Sequence, residues 1–222
     1  MQIYMKAGRN LRKSCYIAGA GEFCGLIMPG RDDYIIAADA GYSQLVSRGI
    51  IPDLVVGDFD SLGLPPDHPN IISSPAEKDD TDMMLAVRQG LMRGYDSFII
   101  DGGLGGKLDH TLANLQILAF ISQKGARGVL IGRETCVTAV TNGSVRFKAE
   151  ASGVISVFCI GSSAAGVCLA GLKYPLSEAV LKCDDPLGVS NEFTGAAATL
   201  TVRSGTLIIM WADSPKLLEE NA

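Results

Sequence analysis

Eleven of the twenty-four Asp and Glu residues fall between Asp53 and Asp109, against four Lys or Arg in the same window. The sharpest spacing within it is Gly57-Asp58-Phe59-Asp60-Ser61, directly after the apolar run Leu54-Val55-Val56. In extended chain, side chains two residues apart leave on one side. Two carboxylates about 6 Å apart repel by about 3 kcal/mol at an effective dielectric near 20. A hard divalent cation such as Mg²⁺ relieves that repulsion and takes carboxylate and phosphate oxygens together. The plainer alternative is one Asp in a turn and the other in solvent.

Three further clusters carry chemistry. Glu77-Lys78-Asp79-Asp80-Thr81-Asp82 opens a helical segment with more acid than capping and the helix dipole require. Capping and metal binding both account for it, and Asp82 in the first turn is placed to share a cation with the D-x-D pair. Asp101-Gly102-Gly103-Leu104-Gly105-Gly106-Lys107-Leu108-Asp109-His110 joins a strand to a helix. Its glycines let backbone N–H groups approach an anion, with Lys107 as a point charge on a phosphate; a flexible turn is the alternative. Leu108 stands where a Walker A loop needs Ser or Thr, and the dinucleotide spacing is missed as well. His110 reads as a structural hydrogen-bonder or as a base. Asp39, in Ala38-Asp39-Ala40-Gly41, is a strand-end acid or a helix cap. Gly19-Ala20-Gly21-Glu22-Phe23 is a tight turn or a nucleotide contact, with Cys24 where the dinucleotide fingerprint places glycine.

The elements that must hold these residues alternate. Runs at 15–18, 34–38, 54–56, 98–100 and 129–131 predict buried strands, and helical spacing occurs at 42–48, 81–93 and 112–123. That pattern predicts an α/β unit on a parallel sheet, Rossmann-like, over residues 1–132. From residue 136 to 222 the chain gives short runs at 136–140, 145–147, 154–159, 166–170, 197–202 and 206–211 between Gly, Ser and Asn. An all-β antiparallel sandwich or barrel is expected there. Ligand sites favour the seam between two such units.

Composition excludes several classes. With 47% hydrophobic and 19% charged residues the chain folds. A net charge of −5 without a basic run leaves no footprint for nucleic acid. No apolar stretch nears the roughly 18 residues of a membrane span. Lys6, Arg9, Arg12 and Lys13 before an apolar run mimic a secretory signal, which Glu22 and four glycines from Gly19 to Gly30 break. Six cysteines without a C-x-x-C pair, and only two histidines, predict reduced thiols in a cytoplasmic protein.

In this order, Ala38-Asp39-Ala40-Gly41, Gly57-Asp58-Phe59-Asp60-Ser61, Glu77-Lys78-Asp79-Asp80-Thr81-Asp82 and Gly102-Gly103-Leu104-Gly105-Gly106-Lys107-Leu108-Asp109-His110 resemble the thiamine pyrophosphokinase family. Gly171-Leu172-Lys173-Tyr174-Pro175-Leu176 and Ser190-Asn191-Glu192-Phe193 resemble its thiamine-contacting strand and loop. The resemblance spans about 34–211, with Tyr174 where the family often has Trp and a poor match over the first thirty residues. It implies an α/β catalytic unit followed by a β-sandwich, and a homodimer with sites shared between subunits. It implies transfer of a pyrophosphoryl group from ATP to the thiamine hydroxyl, releasing AMP. By the same resemblance Asp58, Asp60 and Asp82 are catalytic Mg²⁺ ligands, with Asp39 nearby and Asp109 at metal or nucleotide. Lys78, Thr81, Gly103, Gly105, Gly106 and Lys107 face phosphates, and Ser190, Asn191, Leu172 and Tyr174 hold thiamine. Two rivals fit parts of the pattern: a Mg²⁺-dependent phosphohydrolase with Asp58 as nucleophile, and a non-catalytic thiamine or nucleotide sensor.

Overall fold

The computed structural model describes residues 13–25, 29–59, 66–73, 80–212 and 214–219. Its first half runs β1 (Cys15–Ala18), β2 (Tyr34–Ala38), α1 (Gly41–Val46), β3 (Leu54–Gly57), β4 (Ile71–Ser73), α2 (Asp82–Met92), β5 (Ser97–Asp101), α3 (Leu108–Gln123) and β6 (Arg127–Ile131). The second half is β7 (Cys136–Thr141), β8 (Ser144–Phe147), β9 (Val154–Ala170), β10 (Leu176–Lys182), β11 (Asn191–Glu192), β12 (Ala198–Thr201) and β13 (Ser204–Trp211).

The pairing order is β4-β3-β2-β1-β5-β6-β7-β13-β9-β12-β8, with β10 and β11 also on β9. Pairings from β4 to β6 are parallel, and from β6–β7 onward antiparallel. A parallel strand covered by helices on both faces has no polar side, so these strands are apolar runs rather than alternating ones. Tyr16, Ala18, Ala37 and Val55 pack with Leu45 of α1 on one face. Cys15, Ile17, Ile36, Val56, Phe98 and Ile100 pack under Met83, Val87, Ile117 and Ile121 of α2 and α3 on the other.

The strand directions match the sequence-based expectation, whereas the expected division near 132–135 is no break in the sheet. β6 turns directly into β7, with Gly132 N–H donating to the Thr135 carbonyl (2.8 Å). The physical reason is that β6, β7 and β13 are buried on both faces. Leu130, Val137, Ala139 and Ile208 join the core under α3, while Val129, Ile131, Cys136, Val140, Leu207 and Ile209 join that of the antiparallel half. The runs expected at 154–159 and 166–170 belong to one long strand, β9. Strands β4, β10 and β11 were not legible. β10 is a largely exposed edge of Leu, Ser, Glu, Ala, Val and Lys, without the alternation that marks a half-buried strand. Among the described residues no helix is long and apolar enough to cross a membrane.

Candidate active site

Two acids leave the sheet at neighbouring strand ends. β2 and β3 pair Ala38 with Val56, so Asp39 and Asp58 follow adjacent carboxyl ends. Asp39 N–H donates to the Val56 carbonyl (2.8 Å). A Cβ on Gly57, whose φ is +154°, would stand 3.3 Å from the Asp39 Cα. Glycine is what lets the two chain ends approach here. Asp39 itself has φ +49° and Phe59 has φ +62°. Left-handed backbone at non-glycine residues is held only where the surroundings over-determine it, and it gathers at functional sites. The Phe59 ring supplies the anchor, buried in the core beneath α1. One Asp39 carboxylate oxygen is sealed from solvent.

The helix starts bring the other acids to the same edge, because a helix following a parallel strand begins at that strand's carboxyl end. Asp82 lies in the first turn of α2 and Asp109 in that of α3. Thr81 caps α2 by accepting from Met84 N–H (3.2 Å), which leaves its hydroxyl proton to donate. Asp80 pairs with Arg88 (2.9 Å). Asp109 accepts from the His110 N–H (2.8 Å), and both side chains are exposed. Asp60 and Lys78 lie outside the described residues. Among the described residues no three Asp, Glu, His or Cys gather at metal-binding spacing. Asp39, Asp58 and Asp82 offer hard oxygen donors only, the chemistry of Mg²⁺ rather than of zinc.

The glycine loop divides into two parts. Gly102 and Gly103 are buried. A Cβ on Gly103 would come 2.5 Å from Leu130, and its carbonyl accepts from the buried Asn114 amide (2.7 Å). Gly103 therefore packs the loop onto the sheet, and the part open to an anion is Gly105, Gly106 and Lys107. Gly105 and Gly106 have φ +77° and +69°, a backbone that other residues adopt only under strain.

Asp101, at the end of β5, had no assigned role in the sequence. It is fully buried. One carboxylate oxygen accepts from Cys24 N–H and Gly102 N–H (both 2.8 Å), and the other from Gly25 N–H (2.9 Å) and the Tyr16 hydroxyl (3.3 Å). A charge buried this way stands only with its lone pairs satisfied, and here they tie the loop after β1 to the sheet. The signal in the sequence was the same one that marked Asp39, an acid closing an apolar run. Burial, then the carboxylates of Asp101 and Glu22, push the Cys24 thiol up to about 11, so it is no nucleophile at neutral pH.

In the antiparallel half Ser190 is exposed with φ +56°, and its N–H donates to the Ser156 hydroxyl (3.1 Å). The neighbouring Asn191 amide is buried and engaged. Its oxygen accepts from Tyr174 N–H (2.9 Å) and Glu192 N–H (2.9 Å), and its nitrogen donates to the Tyr174 carbonyl (2.7 Å). The Leu172 side chain lies in the antiparallel core and bridges through its backbone to Phe193. Tyr174 is 57% exposed, with Lys173 Nζ 5.4 Å from its ring centroid and paired to Glu192 (2.8 Å). Asn191 thus clamps the segment from which Tyr174 projects, while Ser190 and Tyr174 face outward.

The family model of the thiamin pyrophosphokinase catalytic domain matches residues 29–130, and that of the thiamin pyrophosphokinase vitamin B1 binding domain matches 144–207. A thiamine pyrophosphokinase of Bacillus subtilis is 30% identical over 182 residues, 79% of this chain and 85% of the relative. A crystal structure of thiamine pyrophosphokinase from Bacillus subtilis superposes with TM-score 0.78 at 26% identity, covering 91% of this chain and all of the other. One from Enterococcus faecalis gives 0.77 at 27% identity, covering 91% and 99%.

Proposed function

This chain belongs to the thiamine pyrophosphokinase family, and from that premise we propose that it uses ATP and Mg²⁺ to make thiamine diphosphate, releasing AMP. Membership sets aside the hydrolase and sensor readings. The observation that carries the catalytic assignment is the pair of acids at neighbouring strand ends, with left-handed backbone at Asp39 and Phe59.

Asp58, Asp60 and Asp82 hold the Mg²⁺, with Asp39 beside them and Asp109 at the metal or nucleotide. Bound there, the cation offsets phosphate charge as it develops. Lys78, the Thr81 hydroxyl and the Gly105, Gly106 and Lys107 stretch donate to phosphate oxygens, on a loop that Gly103 seats. An alcohol with a pKa near 15 is scarcely ionised at neutral pH, so the residues' main task is to align the thiamine hydroxyl with the β-phosphorus. An aspartate accepts the hydroxyl proton late, as the new P–O bond forms and AMP leaves.

On the thiamine side, Ser190 offers a hydroxyl and Tyr174 a ring face, which Asn191 fixes through the Tyr174 backbone, while Leu172 contributes backbone. The thiazolium is cationic. The Lys173–Glu192 pair cancels the nearby ammonium, and an aromatic face attracts cations. Residues 1–132 form the Rossmann-like ATP and Mg²⁺ unit and 136–222 the thiamine-binding sandwich. The enzyme works in the cytoplasm as a homodimer whose sites draw on both subunits.

Incubation with ATP, Mg²⁺ and thiamine tests the reading. Equimolar AMP and thiamine diphosphate are expected. Free phosphate without a thiamine ester would restore the hydrolase, and binding without turnover the sensor.

A further inference from the structure

The stripe of α3 that packs on the sheet begins with a polar residue. Asn114, Ile117, Leu118 and Ile121 are buried at helical spacing, and the last three join the apolar core. Asparagine is a poor helix former, and a buried amide costs free energy unless its hydrogen bonds are made. Leucine at this position would pack as its neighbours do. What asparagine adds is a short, buried contact outside the helix, from its Nδ2 to the Gly103 carbonyl (2.7 Å).

That contact fills a gap in a series. The Asp101 carbonyl accepts from Gly19 N–H (2.7 Å), that of Gly102 from Gly21 N–H (2.8 Å) and that of Leu104 from Glu22 N–H (3.3 Å), all on the loop after β1. The Gly103 carbonyl, between them, is turned to α3 instead. A carbonyl oxygen repels a phosphate, so a loop that binds anions through N–H groups needs its carbonyls engaged elsewhere. In a planar trans peptide, each N–H points opposite to the carbonyl of the residue before it. Holding the Gly103 carbonyl against α3 therefore sends Leu104 N–H away from the helix. It also fixes the peptide from which Gly105 and Gly106 continue, both exposed and with positive φ.

Glycine has no side chain to fix its own orientation, and a Cβ on Gly103 would stand 2.5 Å from Leu130. The loop must be held from outside. Thr111, one turn earlier on α3, is poorly placed for this. Its one hydroxyl proton is shared between the Lys107 carbonyl in its own turn (3.3 Å) and that of Gly105 (3.5 Å).

We propose that Asn114 is a positioning residue for phosphoryl transfer: through the Gly103 carbonyl it aims the backbone N–H groups from Leu104 to Gly106 at the phosphates of the donor, without touching them. This rests on the reading of ATP as donor.

The test is equilibrium binding of inorganic tripolyphosphate with Mg²⁺, and separately of thiamine, to the full chain and to Asn114→Leu and Asn114→Ala. Neither variant can donate, but leucine fills the space and alanine leaves a cavity, so the alanine variant melts lower. Both should weaken tripolyphosphate about tenfold, the worth of one hydrogen bond, and leave thiamine within about twofold. Thr111→Val should leave both probes within about twofold. A packing role alone predicts instead that Asn114→Leu binds tripolyphosphate as wild type does and that only Asn114→Ala weakens it. That result overturns the proposal, as do thiamine weakening in step with tripolyphosphate, an equal loss in Thr111→Val, or a wild-type chain that does not bind tripolyphosphate. Should Asn114→Ala not fold, Asn114→Leu decides alone. Turnover separates this from the broader reading. A chain that makes thiamine diphosphate but whose tripolyphosphate affinity ignores residue 114 loses only the positioning role. One whose tripolyphosphate affinity depends on Asn114 but which makes no thiamine diphosphate loses only the proposed reaction.

Discussion

Replacing Asp101 with Asn is the most direct test of how the catalytic edge is held. The carboxylate accepts three backbone N–H groups and the Tyr16 hydroxyl at a fully buried position. An amide keeps one oxygen, which best serves the Cys24 and Gly102 N–H groups. Its NH₂ then faces Gly25 N–H, which is stranded, while the Tyr16 hydroxyl can turn to accept. An orphaned buried donor costs about 1–3 kcal/mol, and the surviving bonds lose charge assistance. Against this stands the relief of no longer burying a charge, which offsets part of the loss. The net expectation is a destabilisation of about 2 kcal/mol, or roughly 4–8 °C in Tm for a chain of this size. Urea unfolding with an unchanged m-value, alongside a thermal melt, reads it. A Tm within about 1 °C of wild type would refute the reasoning, since it would mean that the four hydrogen bonds hold nothing the amide cannot.

Asp58→Asn should lower turnover by at least about 10²-fold while the fold is kept, as expected when a charge-stabilising group is removed from the reacting centre; wild-type turnover with ATP and Mg²⁺ would end the metal assignment. Asn191→Ala should raise the thiamine KM by about tenfold and leave the ATP KM alone, because it releases the Tyr174 backbone; an unchanged thiamine KM would detach that segment from the vitamin. Burial pushes the Cys15 thiol from 9.0 up to about 12, partly countered by Arg93. Between those values the folded chain keeps a proton that the unfolded chain releases. Stability is therefore full below pH 9 and falls as pH rises, by at most about 1.4 kcal/mol per unit from this group. The urea midpoint of Cys15→Ala should accordingly drop less than that of wild type between about pH 8 and pH 10, and parallel drops would show that the thiol is not responsible.

The strands of the parallel half other than the half-exposed edge strand β4 were legible almost residue by residue, because burial on both faces writes an uninterrupted apolar run and glycine or acid closes it. Cys15–Ala18 and Tyr34–Ala38 have the bounds expected from sequence. Asp39, Asp58, Asp82 and Asp109 were legible for the same reason, each standing where an apolar element begins or ends. β10 was not, because an exposed edge strand is held by its hydrogen bonds to β9, and those leave no pattern in side-chain type.

The order of side chains along the chain settles what each element buries and which acids stand at its ends. Folding alone settles what those groups meet. It made Asp101 an acceptor for a loop some 77 residues away in sequence, turned Asn191 inward to the Tyr174 backbone, and directed Gly103 into the core while leaving Gly105 outside. It also carried one sheet through the expected domain boundary, because β6, β7 and β13 are covered on both faces by cores assembled from distant segments. Hydrogen bonds and close backbone approaches of this kind depend on distances between residues remote in sequence, which no local periodicity records.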